Sequence, residues 1–139
     1  MKRIVIFASG NGTNAQRIID HFKGSTDAQV VQVLSNNKDA KVLERANKSQ
    51  ISAISFNRTA LYYTDHIAHL LQVIQPDLIV LGHADTLLKE TIIKIKKIKD
   101  VKICQWFLDP LIKSGPDFIK NKNRILSLEK YLDASFLTT

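Results

Sequence analysis

Two glycines separated by one residue follow an apolar run near the start of the chain, in Ile4-Val5-Ile6-Phe7-Ala8-Ser9-Gly10-Asn11-Gly12-Thr13-Asn14. A helical pattern begins directly after them, with Ile18, Ile19 and Phe22 spaced for one face. Glycine lets a backbone turn sharply and come close to a ligand. The free N–H groups of a helix N-terminus then face that ligand, with the positive end of the helix dipole behind them. Thr13 and Asn14 add side-chain donors. Gly10, Asn11, Gly12, Thr13 and Asn14 are therefore the candidate phosphate-binding residues, and a phosphate monoester is the ligand chemistry they suit. No third glycine completes a G-x-G-x-x-G, and no Gly-Lys-Ser/Thr completes a P-loop. A tight βα turn with a threonine cap is the alternative that the residues leave open.

Four further residues are weaker candidates: His83, Asp85, Gln105 and Asp109. His83, Asp85 and Asp109 stand where loops leave the carboxyl ends of strands, the edge at which open α/β sheets bind ligands, while Gln105 lies on the strand itself. A histidine with two carboxylates can form an acid–base set or half a metal site. Against this, Asp85 or Thr86 can simply cap the following helix, leaving His83 a loop residue. His66 and His69 are helical neighbours with no second ligand pair in view, so no metal site is expected. Cys104 lies in an apolar run and reads as a small buried hydrophobe rather than a nucleophile. Trp106 and Phe107 offer a stacking surface, but strand alternation makes at least one of them a core residue.

The elements that must position these residues alternate from end to end. Strand-like runs at Arg3–Ala8, Gln29–Leu34, Ala53–Phe56, Leu78–Leu81, Val101–Phe107 and Ala134–Leu137 are separated by helical stretches. Those stretches are Asn14–Phe22, Ala40–Lys48, Ala60–Ile74, Thr86–Ile98 and Asp117–Tyr131. Gly24 ends the first helix and Pro76 stops the third. The order predicts a single α/β domain over residues 1–139, a doubly wound, mostly parallel sheet of five to six strands in a Rossmann-like α/β/α sandwich.

Composition narrows the partners. A chain of 139 residues fits one domain of ordinary size. No run approaches the ~20 apolar residues of a membrane span, and the first apolar stretch is too short for a signal peptide. A single cysteine excludes an internal disulfide and fits a reducing compartment, so a cytoplasmic location is expected. The net charge of +7 favours an anionic partner, a phosphate or phosphorylated small molecule. Nucleic acid is disfavoured, because Lys89, Lys94, Lys96 and Lys97 interleave with Ile92, Ile93, Ile95 and Ile98 as the solvated side of an amphipathic helix. No motif calls for a cofactor, and the oligomeric state is not encoded in any pattern.

Ser9-Gly10-Asn11-Gly12-Thr13-Asn14, then Leu34-Ser35-Asn36, then Leu43-Glu44-Arg45-Ala46, then Pro76-Asp77-Leu78-Ile79-Val80-Leu81 together resemble phosphoribosylglycinamide formyltransferase over residues 1 to about 81. The resemblance implies that the glycine-rich turn holds the substrate's phosphate through Gly12, Thr13 and Asn14, with Gly10 and Asn11 shaping it. Residues 82–139 depart from that pattern. The family's folate-bordering Phe, Met and Arg segment is replaced by Gly82-His83-Ala84-Asp85-Thr86. Its Asn-x-His-Pro-Ser-Leu-Leu-Pro stretch corresponds to Gln105-Trp106-Phe107-Leu108-Asp109-Pro110-Leu111. Phe107 or Asp109, depending on register, then takes the histidine's place.

Residues 78–139 are instead similar to part of the N-terminal Rossmann-like domain of some bacterial surface-polysaccharide glycosyltransferases, as expected of a chimera joined near Leu78–Leu81. The implied function is a catalytically inactive Rossmann-like domain with a residual phosphate site. The rivals are a formyltransferase-like or glycosyltransferase-like enzyme using His83 or Asp109, and a basic nucleic-acid-binding module.

Overall fold

The computed structural model describes residues 1–57, 66–82, 89–98, 100–107, 119, 122–123, 126 and 130–137. Within them the strands are β1 (Lys2–Phe7), β2 (Ala28–Ser35), β3 (Ser52–Ser55), β4 (Leu78–Gly82), β5 (Lys102–Phe107) and β6 (Ala134–Leu137). The helices are α1 (Thr13–Phe22), α2 (Lys41–Lys48), α3 (His66–Ile74) and α4 (Lys89–Lys96). The strands form one sheet in the order β3-β2-β1-β4-β5-β6, and every pairing is parallel. The reversal of order beside β1 opens a crevice between the carboxyl ends of β1 and β4. His83, Asp85, Asp109 and more than half of the expected last helix lie outside the described residues.

Two apolar layers hold the sheet between its helices. Ile4, Ile6 and Val80 point to one face, where Ala15 and Ile19 of α1 and Val42 and Ala46 of α2 cover them. Val5, Phe7, Ile79, Leu81 and Ile103 point to the other, against Ile67 and Leu71 of α3 and Ile92 and Ile95 of α4. Side chains on a strand alternate between faces, so a strand buried on both must be aliphatic throughout, as β1 and β4 are. Each fully buried aliphatic contributes roughly 1.5–3 kcal/mol. On α4 Ile92 and Ile95 go in, while Lys94 stays exposed.

One irregularity departs from simple alternation. The β1–β2 register skips from Ile4 opposite Val30 to Val5 opposite Gln32. The extra residue inverts side-chain parity, so Val33 joins the α1/α2 layer and Leu34 the α3/α4 layer. Gln32 is drawn inside as a result and satisfies its amide on the Val33 carbonyl at 3.1 Å.

The amino ends of β4 and β6 repeat one device. Just before β4, Asp77 accepts the Arg3 backbone N–H on Oδ2 at 2.9 Å, and its own N–H donates to the Arg3 carbonyl at 2.8 Å. Just before β6, Asp133 accepts the Ile103 N–H on Oδ2 at 2.8 Å and returns its N–H to the Ile103 carbonyl at 2.8 Å. Lys96 adds an ion pair to Asp133 at 3.2 Å. The Ile103 N–H, helped by Lys96 and Lys102 against the opposing effect of burial, holds the Asp133 carboxyl below the ordinary carboxylate range. A depressed value means that the charged form stabilises the fold above the unfolded pKa, near 3.9, and that this contribution vanishes as pH falls through the folded one. Asp133→Asn keeps an acceptor for Ile103 but loses the charge. Urea unfolding should therefore show the variant less stable at neutral pH, with the gap narrowing as pH falls below the unfolded value and closing only below the depressed folded one. A gap independent of pH would mean that the carboxylate charge plays no part.

Candidate functional site

The crevice between β1 and β4 is lined by the residues that the sequence singled out. A cavity of about 220 Å³ is bordered by Ser9 through Ala15 on one side and by Gly82 and Trp106 on the other, with Ile6, Ile18 and Val80 beneath. That volume is below the ~300 Å³ at which sites for drug-sized ligands begin, so it suits a phosphate group with a small organic tail. Gly10, Asn11, Gly12, Thr13 and Asn14 all border it.

The start of α1 is open. Its N-cap is Gly12, at φ +82° and ψ 19°, and no side chain caps the helix. The threonine cap considered from the sequence is therefore not formed. Thr13 Oγ1 instead accepts the Asn11 amide at 3.3 Å, which leaves its own proton available to a ligand. The first N–H groups of a helix have no partner within it. Those of Asn11, Gly12 and Thr13 also find no acceptor among the described residues.

The carbonyls of the turn, by contrast, are all engaged. The Gly10 carbonyl accepts the Val42 N–H at 3.3 Å, and the Gly12 carbonyl accepts the Gln16 N–H at 2.8 Å. The Asn11 carbonyl accepts Arg45 Nε at 2.8 Å. Arg45 comes from α2, and its role was not anticipated from the sequence. Val42, Arg45 and Ala46 sit one turn apart on a helix whose Val42 and Ala46 are buried. That periodicity marks Arg45 merely as a residue at the margin of the packed face, and the family motif Leu43-Glu44-Arg45-Ala46 contains it without giving it a role.

The two glycines of the turn are needed for different reasons. A β-carbon on Gly12 would stand 2.6 Å from Val42 Cβ, closer than real β-carbons approach, and the left-handed φ disfavours any side chain. A β-carbon on Gly10 would meet nothing within 4 Å. The space beside Gly10 is therefore open, whereas the space beside Gly12 is taken by α2.

Gln105 is the only weaker candidate among the described residues, and it lies away from this crevice. It alternates with Trp106, which borders the cavity, so it projects from the opposite face of β5. There it is buried and donates its amide to Ser135 Oγ at 3.0 Å. Cys104 is half-buried beside the α1/α2 layer, and burial pushes its thiol up, away from the reactive thiolate. Among the described residues no group of three or more His, Cys, Asp or Glu side chains is placed to hold a metal ion. Among them, too, no helix is long and apolar enough to cross a membrane.

The sequence profile described as "Formyl transferase" matches residues 2–104. The chain belongs to the formyl transferase family. A phosphoribosylglycinamide formyltransferase from Haemophilus influenzae is 42% identical over 87 residues, covering 59% of this chain and 41% of that protein. One from Bacillus subtilis is 30% identical over 101 residues, covering 68% and 51%. Among solved structures, glycinamide ribonucleotide transformylase 1 from Geobacillus kaustophilus superposes with a TM-score of 0.66 at 30% identity, covering 89% of this chain and 68% of that one. The chain thus spans about half the length of the curated relatives it matches, 41% and 51% for these two.

The profile match runs through β4 into β5, past Leu81, where the motif correspondence ends. The relatives named above are all formyltransferases, and none of them carries the glycosyltransferase likeness of the later residues or a junction near Leu78–Leu81.

Gly12→Ala should cost about 2–4 kcal/mol of stability, combining a forced left-handed side chain with overpacking against Val42. Gly10→Ala should cost less than about 1 kcal/mol. Denaturant unfolding of both variants is the check, and equal losses would mean that α2 does not press on the turn.

Proposed function

We propose that this chain is a formyl transferase-type domain that binds a phosphate monoester at Gly10–Asn14 and does not, by itself, transfer a formyl group. The observation that carries the reading is the uncapped start of α1 facing a cavity, with the N–H groups of Asn11, Gly12 and Thr13 lacking acceptors among the described residues. Asn11 and Thr13 are exposed and Gly12 half-buried, so these N–H groups are open to an incoming ligand, and an anion at a helix N-terminus satisfies several of them at once. Thr13 contributes its hydroxyl proton and Asn14 its amide. Trp106 forms the apolar side of the cavity, suited to the ring of a sugar phosphate. The relatives' names, phosphoribosylglycinamide formyltransferase, agree with a phosphoribosyl ester as the ligand class.

The negative half rests on residue identity. The family's catalytic asparagine position carries Gln105, whose amide is spent on Ser135. Its histidine position carries Phe107 in the strand register, and phenylalanine moves no proton. Binding the phosphate end tethers a substrate without stabilising the transition state. Loss of an oxyanion donor costs about 10²–10³-fold, and loss of a general acid or base about 10²–10⁴-fold more. We take residues 1–139 as one domain whose second half, from residue 82, has diverged in the positions that would do chemistry.

Ribose 5-phosphate should bind saturably, and Thr13→Ala should weaken it about tenfold, the worth of one hydrogen bond to an anion. Calorimetric titration showing equal affinity for ribose and ribose 5-phosphate would overturn the phosphate site. Separately, 10-formyltetrahydrofolate with glycinamide ribonucleotide should give no turnover above background at high protein concentration. Turnover lost in Thr13→Ala would show that His83, Gln105 or Asp109 has taken over the missing roles.

A further inference from the structure

We infer that Arg45 is a positioning residue for the phosphate-binding turn, acting from α2 through the Asn11 peptide and never touching the ligand itself; this rests on the phosphate-site reading above. In a planar trans peptide the carbonyl and the following N–H point in opposite directions, so fixing one fixes the other. Arg45 Nε donates to the Asn11 carbonyl at 2.8 Å, and Nη2 lies 3.5 Å from Asn11 Oδ1. The Gly12 N–H must therefore point away from Arg45. The Val42 N–H, donating to the Gly10 carbonyl, does the same for the Asn11 N–H.

Neither Val42 nor Arg45 borders the cavity, whereas Asn11 and Gly12 do. Turning two successive carbonyls toward α2 thus turns two successive N–H groups toward the cavity. Without the guanidinium, the Asn11–Gly12 peptide is free to flip, because Gly12 already occupies a conformation in which glycine has little preference between orientations. A flipped peptide would present a carbonyl oxygen to an anion, which repels it.

Arginine suits the task because its Nε–H sits in a rigid plane at a fixed angle to its Nη groups. One donor can hold the Asn11 carbonyl while another meets its side chain. That side chain in turn holds Thr13 Oγ1, so the same clamp reaches the hydroxyl donor of the turn.

The test measures inorganic phosphate and ribose 5-phosphate affinity in the parent, Arg45→Ala and Arg45→Lys, together with the amide ¹H–¹⁵N shifts of Asn11, Gly12 and Thr13 without ligand. Arg45→Ala should weaken binding about tenfold and move or broaden the Gly12 amide signal, while ethylguanidinium added to it should restore both. Arg45→Lys keeps the charge and the aliphatic stem, so it guards against a variant that fails to fold. It should show the same amide change and recover binding only in part. Parent-like affinity and amide shifts in a folded variant would overturn the positioning role while leaving the phosphate site intact. Failure of the parent to bind either phosphate would overturn both. A loss of affinity with unmoved amide signals, and no response to ethylguanidinium, would assign Arg45 a general electrostatic effect and refute the clamp.

Discussion

The inner side of residue 12 has room for a hydrogen atom and nothing larger, because Val42 stands 2.6 Å from where a β-carbon would be. That contact lets the turn after β1 pass beneath α2 and lets α1 begin at once. Everything in the crevice follows from it. A wider separation would move α2 away from the turn, break the Val42 and Arg45 bonds to its carbonyls, and release the N–H groups from a common direction. The chemistry of the site is thus set by a packing constraint between two helices, and the polar groups are placed by it.

The sheet provides the fixed frame for that contact. β1 is paired on both edges and buried on both faces, so its carboxyl end has little freedom. A ligand site built on the turn after such a strand begins from a rigid origin. The family match, over residues 2–104, takes in β1 to β4 and the helices between them, the part of the sheet that carries the turn.

Much of this was legible in the sequence, for reasons that differ by element. Strands β1 and β4 announce themselves as unbroken aliphatic runs, because both faces must be apolar. The turn at residues 10–14 was recognisable because a chain that leaves a strand and enters a helix within a few residues calls for glycine, and Gly12 does take a left-handed φ. The bulge at Val31–Gln32 was not legible, since the residues on either side alternate plausibly and only the partner strand shows the skipped register. Gln105 looked like an amide near the site, and the parity of β5 turns it to the other face. Arg45 was invisible as a functional residue because its partner, Asn11, is distant in sequence and presents a carbonyl, which every residue has.

The paired aspartates at the amino ends of β4 and β6 tie down one rim of the sheet and leave the other to its loops. Asp77 and Asp133 lock each strand to its neighbour at the end remote from the crevice. Strand alignment is then decided before the chain reaches the loops on the opposite rim. Substitutions, insertions or wholesale replacement of those loops need not shift the ladder that carries them. A scaffold tied down at one end can accept change at the other and still fold.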